Sequence, residues 1–433
     1  MTKFANVKEV NSCLICGNFD LVPIIDLGEH AISSRFPKSS EPDPPLAPLQ
    51  LVKCNNLNKE ACGLLQLKHI VPGEEMYTNQ YGYRSGLNAT MTNHLNALAK
   101  EIMSKINLEK GDVILDIGSN DATLLKAFNI NGLNKIGIDP TGNQFMQFYE
   151  ENTNLIVDYF SFENFAKASP DKKAKVITSI AMFYDLPDPM KFVQDIKQCL
   201  DENGIWISEQ SYMPSMLKRN SFDTICHEHL EYYSLKQIDW MAKRNGLRIL
   251  DATFNEINGG SFRFYVSHAN SNLSINEQAI SNILNEEKEL GLDKLKPFEE
   301  FQKRVEKIKF KLSSFLKERK SSGKKIHIYG ASTKGNTLLQ YFGIGSDIID
   351  AAAERNPEKF GRVTPKTRIP MIPEEQSRKE NPDYFLVLPW HFKDEFIERE
   401  KSYLESGGKF IFPLPEFQIV GKEGLEYGEQ PEQ

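Results

Sequence analysis

The stretch that decides the fold is Asp112-Val-Ile-Leu-Asp-Ile-Gly-Ser-Asn-Asp121. Its first half is an apolar run that predicts a buried β-strand, and its second half is a polar turn containing glycine. A helix is predicted from Ala122 to Phe128, and a second apolar strand begins at Lys135 and ends in Asp139. A strand, a glycine turn, a helix and an acid after the second strand are the layout of a nucleotide-binding α/β half.

The residue types in this turn indicate which cofactor the half binds. Glycine permits close backbone approach to a ligand, and the acid after the second strand binds ribose hydroxyls. The turn is acidic and lacks the G-x-G-x-x-G spacing, so a cationic ligand fits it better than a pyrophosphate. We therefore predict S-adenosylmethionine, with a ligand-free Rossmann-like sheet as the alternative. The predicted cofactor-binding residues are Asp116, Gly118, Ser119, Asn120, Asp121, Asp139, Pro140, Asp158 and Ala181.

Four of the six cysteines lie within the first 62 residues. Cys13 and Cys16 form a C-x2-C pair, which allows two thiolates to bind one tetrahedral Zn²⁺, and Cys54 and Cys62 supply a looser second pair. Four thiolates leave no open coordination position, so the predicted zinc is structural. The alternative is four unrelated buried cysteines.

Length and charge limit the classes of function. The 433 residues predict two to four domains. The net charge of −7 without a basic stripe argues against nucleic acid and anionic membranes as partners. No apolar run reaches the roughly 18 residues of a membrane helix, and the N-terminus lacks a signal-peptide core, so we expect a cytoplasmic protein.

The segment from Thr224 to Ser234 reads TICHEHLEYYS and is dense in groups that move protons near neutral pH. His227 and His229 are two residues apart, which places them on the same side of an extended segment, with Glu228 on the other side. The competing interpretation is a structural run, in which Glu228 and the tyrosines hold a loop by hydrogen bonds.

A second strand–loop–helix unit begins at Lys325 and nearly spells a P-loop. Asn336 stands where the phosphate-binding lysine of a P-loop should be, which argues against an NTPase. The loop is still expected to present backbone N–H groups and Lys334 to a diphosphate at a helix N-terminus. Further strands are predicted at 347–353 and 384–388, the latter leading into Pro389-Trp390-His391 at an edge where ligands bind.

A charged helix with apolar residues every three or four positions precedes this unit. Its apolar positions predict a helix that packs domains together, and a coiled-coil dimer is the alternative. These positions are Phe298, Phe301, Val305, Ile308, Leu312 and Phe315.

The motifs CHEHLEYYS, GASTKGNTLLQYFGI, NPEKFGRVTPKT and LPWHF together resemble the bacterial NDP-deoxysugar C-methyltransferases. The resemblance runs from about Cys13 to Pro415. It implies an N-terminal zinc domain, a central domain that binds S-adenosylmethionine and a C-terminal domain that helps to hold a nucleotide sugar. It further implies methylation at C3 of a nucleotide-linked 4-keto-6-deoxyhexose.

The resemblance also implies roles for residues. His229 matches the family's general base, with Glu228 beside it. Cys226 replaces the family's usual tyrosine, and Asp185 replaces its usual histidine, so the acceptor is open to differ from a 4-ketohexose. The predicted catalytic residues are His229, Glu228, His227, Tyr81, Tyr83 and Asp185. The predicted substrate-binding residues are Tyr232, Lys334, Gly335, Asn336, Thr337, Arg355, Trp390 and His391.

The expected architecture is α/β with three domains. Residues 1–75 form a small zinc-binding domain, residues 76–267 a Rossmann-like class I methyltransferase domain, and residues 268–433 a Rossmann-like domain that contributes to nucleotide-sugar binding. We expect a monomer or weak homodimer. Two functional alternatives remain: an O- or N-methyltransferase of a related nucleotide sugar or other carbohydrate metabolite, and a zinc-ribbon scaffold with a decayed methyltransferase core.

Overall fold

A computed structural model describes residues 4–32, 35–55, 60–76 and 84–428. Tyr81 and Tyr83 lie outside these ranges. The described residues form an α/β structure with three larger sheets, as the sequence predicts. Among the helices described, none combines the length and the apolar character needed to cross a membrane.

The N-terminal sheet has four strands and includes one from the middle of the chain. Its antiparallel order is Glu231–Tyr232, Leu65–Leu67, Leu46–Cys54 and Leu21–Ala31. A separate two-stranded pair, Lys8–Glu9 with His69–Ile70, and the helix Gly73–Met76 lie in the same part of the chain. The strand Glu231–Tyr232 therefore joins the N-terminal sheet to the segment that contains His229.

The central sheet has seven strands with its first strand in the middle. The spatial order is Leu247–Asn255, Ser261–His268, Leu200–Ser211, Ala174–Ile180, Val113–Ile117, Asn134–Ile138 and Thr153–Ile156. Ser261–His268 is antiparallel to both neighbours, and the strands from Leu200–Ser211 to Thr153–Ile156 are parallel. The chain order reverses beside Val113–Ile117, and ligands bind at the carboxyl ends of strands at such a switch point. The helices of this part are Ala89–Lys105, Thr123–Ala127, Phe162–Ala168, Pro189–Cys199, Met213–Lys218 and Leu235–Arg244.

The C-terminal sheet repeats this arrangement. Its order is Met371–Pro373, Ala351–Glu354, Ile326–Tyr329, Tyr384–Val387, Lys409–Phe412, Gln418–Gly421 and Gly424–Tyr427. The first five strands are parallel, and the last two add antiparallel pairs at the edge. The prediction of a strand at 347–353 is wrong over its first half, since the chain turns there and the strand begins only at Ala351. The helices are Glu277–Glu289, Lys296–Ser321, Thr333–Phe342, Glu374–Glu380, Lys393–Arg399 and Lys401–Glu405.

The helix Lys296–Ser321 lies between the N-terminal and C-terminal sheets. Its buried residues share one apolar core with Ile24 and Ile25 of the N-terminal sheet and with Ile326 and Ile328 of the C-terminal sheet. The predicted apolar stripe is thus the face that packs the parts of the chain together. Most of the exposed residues of this helix are charged.

Two phenylalanines on this helix give a matched test of its packing. Phe301 is fully buried, whereas 75% of Phe310 is exposed. We expect Phe301→Ala to lower the free energy of unfolding by about 3–5 kcal/mol, because it removes buried contacts and leaves a cavity. Phe310→Ala should change it by less than about 0.5 kcal/mol. Denaturant unfolding of both variants measures the difference, and equal destabilisation would contradict this packing.

Candidate active site

The turn after the first strand of the central sheet has a backbone that only certain residues tolerate. Gly118 has φ +70°, and a Cβ atom there would lie 3.2 Å from Cγ of Met182. Its amide donates to the carbonyl of Ile138 at 2.8 Å. Asn120 and Ala122 also have positive φ values of 47° and 59°. Such strain is held only where the surroundings fix it, and it concentrates at ligand-binding sites.

Asp139 fixes the shape of this turn. One carboxylate oxygen accepts from the Asn120 amide at 2.8 Å, and the other accepts from the amide and hydroxyl of Thr141 at 2.7 and 2.6 Å. The side chain is buried at the carboxyl end of the second strand. Each carboxylate oxygen has two lone pairs, so these bonds leave Oδ2 able to accept one more donor.

The other predicted cofactor residues surround the turn. Asp116 is buried below it and accepts from the Thr178 hydroxyl at 2.6 Å, and burial raises the pKa of Asp116 to about 7. Ser119 is hydrogen-bonded to the Tyr149 hydroxyl at 2.7 Å. Asp121 accepts from the amide of Gly86 at 3.0 Å.

Three further predicted cofactor residues follow neighbouring strands. Pro140 follows Asp139 directly. Asp158 is exposed and accepts from the side-chain amide of Asn164 at 3.0 Å. Ala181, with φ +54°, follows the fourth strand of the central sheet and donates its amide to the carbonyl of Glu209 at 2.7 Å. The predicted cofactor residues therefore share the carboxyl edge of this sheet.

The segment around His229 is a turn, not the extended segment that the two-residue spacing predicts. The His229 amide donates to the carbonyl of Cys226 at 3.1 Å, which closes a four-residue turn. The two imidazoles consequently have different partners. His227 is buried and donates from Nε2 to the carbonyl of Ala47, in the N-terminal sheet, at 3.2 Å. His229 donates from Nδ1 to the carbonyl of Thr224 at 2.8 Å.

The bond to Thr224 decides the tautomer of His229. A carbonyl oxygen only accepts, so Nδ1 carries the proton and Nε2 of the neutral ring has a free lone pair. Burial lowers the pKa of His229 to about 4, and the positive charge of Lys334 also lowers it, while Glu228 opposes both effects. His229 is therefore neutral at physiological pH.

A short segment links this turn to the cofactor turn. The Leu230 amide donates to the carbonyl of Tyr184 at 2.8 Å, and the Tyr184 ring packs edge-on against His229 with centroids 4.4 Å apart. Met182, two residues before Tyr184, contacts the Gly118 position. The segment that follows the strand Ala174–Ile180 thus contacts the cofactor turn through Met182 and His229 through Tyr184.

Acidic and thiol groups surround the turn. Burial, and then the charge of Asp185, raises the pKa of Glu231 well above its ordinary value, which favours the neutral carboxylic acid. Burial, and then the charges of Glu228 and Asp185, raises the pKa of Cys226 well above its ordinary value. Cys226 is therefore a neutral thiol. Asp185 ends the 3₁₀ turn Phe183–Asp185.

A cleft opens between this turn and the C-terminal domain. It is lined by Asp223, Thr224, Lys334, Trp390 and His391, among others. The Trp390 indole donates to the Asp223 carboxylate at 2.9 Å. Burial raises the pKa of Asp223, and burial lowers the pKa of Lys334 and brings that of His391 to about 4.

Of the remaining predicted substrate-binding residues, some pack inside the protein and others are exposed. The Gly335 amide donates to the Ser332 hydroxyl at 3.0 Å, which caps the helix Thr333–Phe342. That amide is therefore occupied, contrary to the expectation of a loop presenting free N–H groups to a diphosphate. Thr337 is buried and donates its hydroxyl to the carbonyl of Ile225 at 3.0 Å.

The other three predicted substrate-binding residues are Asn336, Tyr232 and Arg355. Asn336 is buried in the same helix as Thr337. Tyr232 is buried, with its hydroxyl 3.5 Å from the Thr224 carbonyl oxygen. Arg355 is exposed at the carboxyl end of the strand Ala351–Glu354. Lys334, Trp390 and His391 are thus the predicted substrate residues that line the cleft.

The sequence motifs did not predict two polar features of the structure, which are Asp223 and the cluster around Glu209. Asp223 lines the cleft, and only its position three residues before Cys226 could have indicated it. Glu209 is buried and accepts from His94 at 2.6 Å, Asn255 at 2.9 Å and Arg263 at 2.8 Å. Burial raises the pKa of Glu209, but the bond from His94 and the charge of Arg263 outweigh it and leave the pKa lowered. These partners are distant in sequence, so no local pattern connects them.

The four predicted zinc ligands lie together. Their sulfur atoms are all within 4.8 Å of one another, with Cys13 and Cys62 at 3.4 Å and Cys16 and Cys54 at 3.6 Å. Those distances are far longer than the roughly 2.05 Å of a disulfide. A tetrahedral ion with Zn–S bonds of about 2.3 Å separates its ligands by about 3.8 Å, so the cluster fits Zn²⁺.

Comparison with known proteins agrees with this arrangement. Family models match a zinc binding domain at residues 13–77, a methyltransferase domain at 84–252 and a C-methyltransferase C-terminal domain at 256–415. C-methyltransferase NovU of Streptomyces niveus is 28% identical over 421 residues, 96% of this chain and 98% of that protein. Ubiquinone biosynthesis O-methyltransferase of Actinobacillus pleuropneumoniae is 31% identical over 111 residues, 24% of this chain and 47% of that protein.

Among solved structures, an S-adenosylmethionine-dependent methyltransferase from Clostridium acetobutylicum is 16% identical and covers 41% of this chain and 92% of its own, with a TM-score of 0.32. The matched domains and the relatives define the class: the chain is an S-adenosylmethionine-dependent methyltransferase with a zinc-binding domain. It is similar over nearly its whole length to a C-methyltransferase, and it carries a C-methyltransferase C-terminal domain, as the sequence motifs predicted.

The zinc site gives a direct test. We expect one zinc per chain, and we expect Cys54→Ser to lose both the metal and thermal stability, because binding energy at a structural site contributes to folding. Cys199 is a buried cysteine outside the cluster, so Cys199→Ser is the matched control and should keep its zinc. Elemental analysis and thermal unfolding measure both effects. A wild-type protein that is well folded without metal would refute the site.

Proposed function

We propose that this protein transfers the methyl group of S-adenosylmethionine to a carbon beside the ketone of a nucleotide-activated deoxysugar, with His229 as the general base. The observation that carries this proposal is the geometry of His229. Its Nδ1 proton is committed to the Thr224 carbonyl, and Nε2 keeps a lone pair in a buried site. A neutral imidazole in that tautomer is able to accept a proton.

The cofactor supplies an electrophilic methyl group on a sulfonium. The residues of the turn after the first central strand are proposed to hold it, with Gly118 allowing close approach and Asp139 binding the ribose hydroxyls. Oδ2 of Asp139 retains acceptor capacity for that contact. Asp116, Ser119, Asn120, Asp121, Pro140, Asp158 and Ala181 are proposed to complete the site.

The proposed chemistry has two steps that balance. Nε2 of His229 removes a proton from the acceptor carbon, and the C–H electron pair moves into the enolate. The enolate carbon then forms the bond to the methyl group as the methyl–sulfur bond breaks, and sulfur keeps that electron pair as a neutral thioether. The proton remains on His229 until the site opens to water. The main contribution of the protein is the in-line positioning of the two carbons.

Other residues are proposed to support the oxyanion and the turn. Lys334 and the Tyr232 hydroxyl lie near the turn and are candidates for stabilising the developing negative charge. Glu228 favours the protonated form of His229 that the first step creates. Tyr81, Tyr83 and Asp185 remain candidates by resemblance.

A nucleotide sugar is supported by the cleft between the central and C-terminal domains. Lys334, Trp390 and His391 lie at the carboxyl edge of the C-terminal sheet, beside the point where its strand order reverses. The same cleft reaches Thr224, which positions His229. We propose that the nucleotide lies along the C-terminal sheet and the sugar reaches His229. The proposed domains that hold the zinc, the cofactor and the nucleotide sugar are residues 1–75, 76–267 and 268–433, respectively.

His229→Ala tests the base. We expect a loss of at least about 10²-fold in kcat with both ligands still bound, because general-base catalysis contributes about 10²–10⁴-fold. His227→Ala is the matched control and should lose less, since its imidazole bonds to the N-terminal sheet. Methyl transfer is measured on 4-keto-6-deoxyhexoses linked to TDP, GDP, CDP or UDP.

Solvent deuterium separates the proposed route from O- or N-methylation. Only C-methylation through an enolate exchanges the acceptor carbon with D₂O when the methyl donor is omitted, and His229→Ala should abolish that exchange. Methyl transfer to oxygen or nitrogen without exchange would favour the alternative. A stable His229→Ala protein with a normal rate would end the assignment of the base.

The pH dependence of kcat/KM follows from the lowered pKa of His229. Burial holds the folded pKa near 4, below the ordinary value of 6.5, so the neutral base persists as pH falls through 6.5 and is lost only near pH 4. We therefore expect kcat/KM to stay nearly constant between about pH 8 and about pH 5 and to fall below that. A decline centred near pH 6.5 would contradict a buried base.

Asp139→Ala tests the cofactor site. We expect weaker binding of S-adenosylmethionine, because each charge-assisted hydrogen bond to the ribose contributes on the order of 1.5–3 kcal/mol. Asp171 lies in an exposed turn, so Asp171→Ala is a suitable control for the loss of one carboxylate. Calorimetric titration measures both variants, and an unchanged affinity in Asp139→Ala would contradict the placement.

A further inference from the structure

The turn that carries His229 continues directly into the sheet that carries the zinc cluster. The Leu67 amide donates to the carbonyl of Leu230 at 2.9 Å, and Glu231 pairs with Gln66 in antiparallel register. This strand of the N-terminal sheet begins three residues after Cys62. The backbone that starts one residue after His229 is therefore paired with the strand that follows Cys62, the fourth predicted zinc ligand.

Gln66 ties this pairing to the first zinc loop. The side chain is fully buried, and its Oε1 accepts from the Leu14 amide at 2.9 Å. Its Nε2 donates to the Ser12 carbonyl at 3.4 Å. The two bonds flank Cys13, so one amide holds the backbone on both sides of a zinc ligand.

Gln237 makes the corresponding connection to the second zinc loop. Its Nε2 donates to the carbonyl of Cys62 at 2.9 Å. Its Oε1 accepts from the amide of Ser234 at 3.0 Å, at the start of the helix Leu235–Arg244. Gln237 is buried as well, so water is not available to replace the hydrogen bonds of its side-chain amide.

We propose that Gln66 and Gln237 are positioning residues that set the geometry of the His229 turn from the zinc cluster. They fix the chain on the C-terminal side of the turn to the backbone that holds the ligands Cys13 and Cys62. A metal held by the four cysteines would keep the two zinc loops in place. The side-chain amides of Gln66 and Gln237 would then fix residues 230–237 relative to those loops.

A glutamine suits both positions because each site needs a donor and an acceptor at once. An apolar side chain of similar size would fill the volume but leave a backbone carbonyl or amide in each zinc loop without its partner. A buried group left without its partner costs about 1–3 kcal/mol, which corresponds to a change of roughly 5- to 160-fold. The expected effect is therefore measurable without unfolding the chain.

The inference rests on the proposed role of His229, so its test uses a readout that does not need the acceptor. The variants Gln66→Met and Gln237→Met are compared with Gln302→Met, where the glutamine lies on the helix Lys296–Ser321 and bonds only to Glu306 in an exposed position. Hydrogen exchange is measured on the full zinc-loaded chain at the amides of His229 and Leu230, which bond to Cys226 and Tyr184.

We expect both test variants to keep one zinc per chain and normal affinity for S-adenosylmethionine. Exchange at the His229 and Leu230 amides should rise by roughly 5- to 160-fold, and kcat should fall by a similar factor with KM unchanged. The acid limb of kcat/KM should move up from about pH 4 toward 6.5, since water then reaches an imidazole that faces Glu228 and Lys334. Gln302→Met should change none of these.

Unchanged exchange and an unchanged pH profile in both test variants would overturn the inference. Should Gln237→Met fail to fold, Gln66→Met still tests the connection through the first zinc loop, and it should give the same result. An active His229→Ala protein would refute the proposed base, but the exchange comparison would still decide whether the zinc loops position the turn.

Discussion

The structure depends on the pairing of a two-residue strand, Glu231–Tyr232, with Leu65–Leu67. This pairing takes a segment from the middle of the chain into the N-terminal sheet and buries it there. Buried backbone groups must find partners within the protein, because water is not available to satisfy them. The segment meets this requirement through three regions at once: Leu230 pairs with Leu67 and Tyr184, and Ile225 accepts from Thr337. The His229 turn is therefore held where the three domains meet.

Removal of water from this junction explains the protonation states found there. Burial lowers the pKa of His229 and of Lys334, and it raises the pKa of Glu231 and of Cys226. Each shift favours the neutral form of the group, as expected where charge is poorly solvated. A neutral imidazole with its proton fixed on Nδ1 and a neutral thiol are the result. The thiol of Cys226 is consequently a poor nucleophile.

The two proposed ligand sites lie at the two Rossmann-like sheets, on either side of this junction. In each sheet the chain order reverses beside the first strand, which leaves a crevice at the carboxyl ends. The central crevice is bounded by the strained turn at Gly118, and the C-terminal crevice by Lys334 and Trp390. The zinc cluster lies behind the junction, and its loops bond to Gln66 and Gln237. A structural metal thereby influences the position of the residues that we propose to be catalytic.

The sequence alone determined the elements whose signals are local. The cysteine spacing predicted the metal cluster, and the strand, glycine turn and acid predicted the cofactor half, because ligand spacing and backbone conformation act over a few neighbouring residues. Only the tertiary structure decided that the CHEHLEYYS segment turns at Cys226 and that Asp223 lines the cleft. Those features depend on partners such as Tyr184, Thr337 and Trp390, which are tens to hundreds of residues away. The pKa of His229 likewise follows from the burial that these contacts create, which no local pattern encodes.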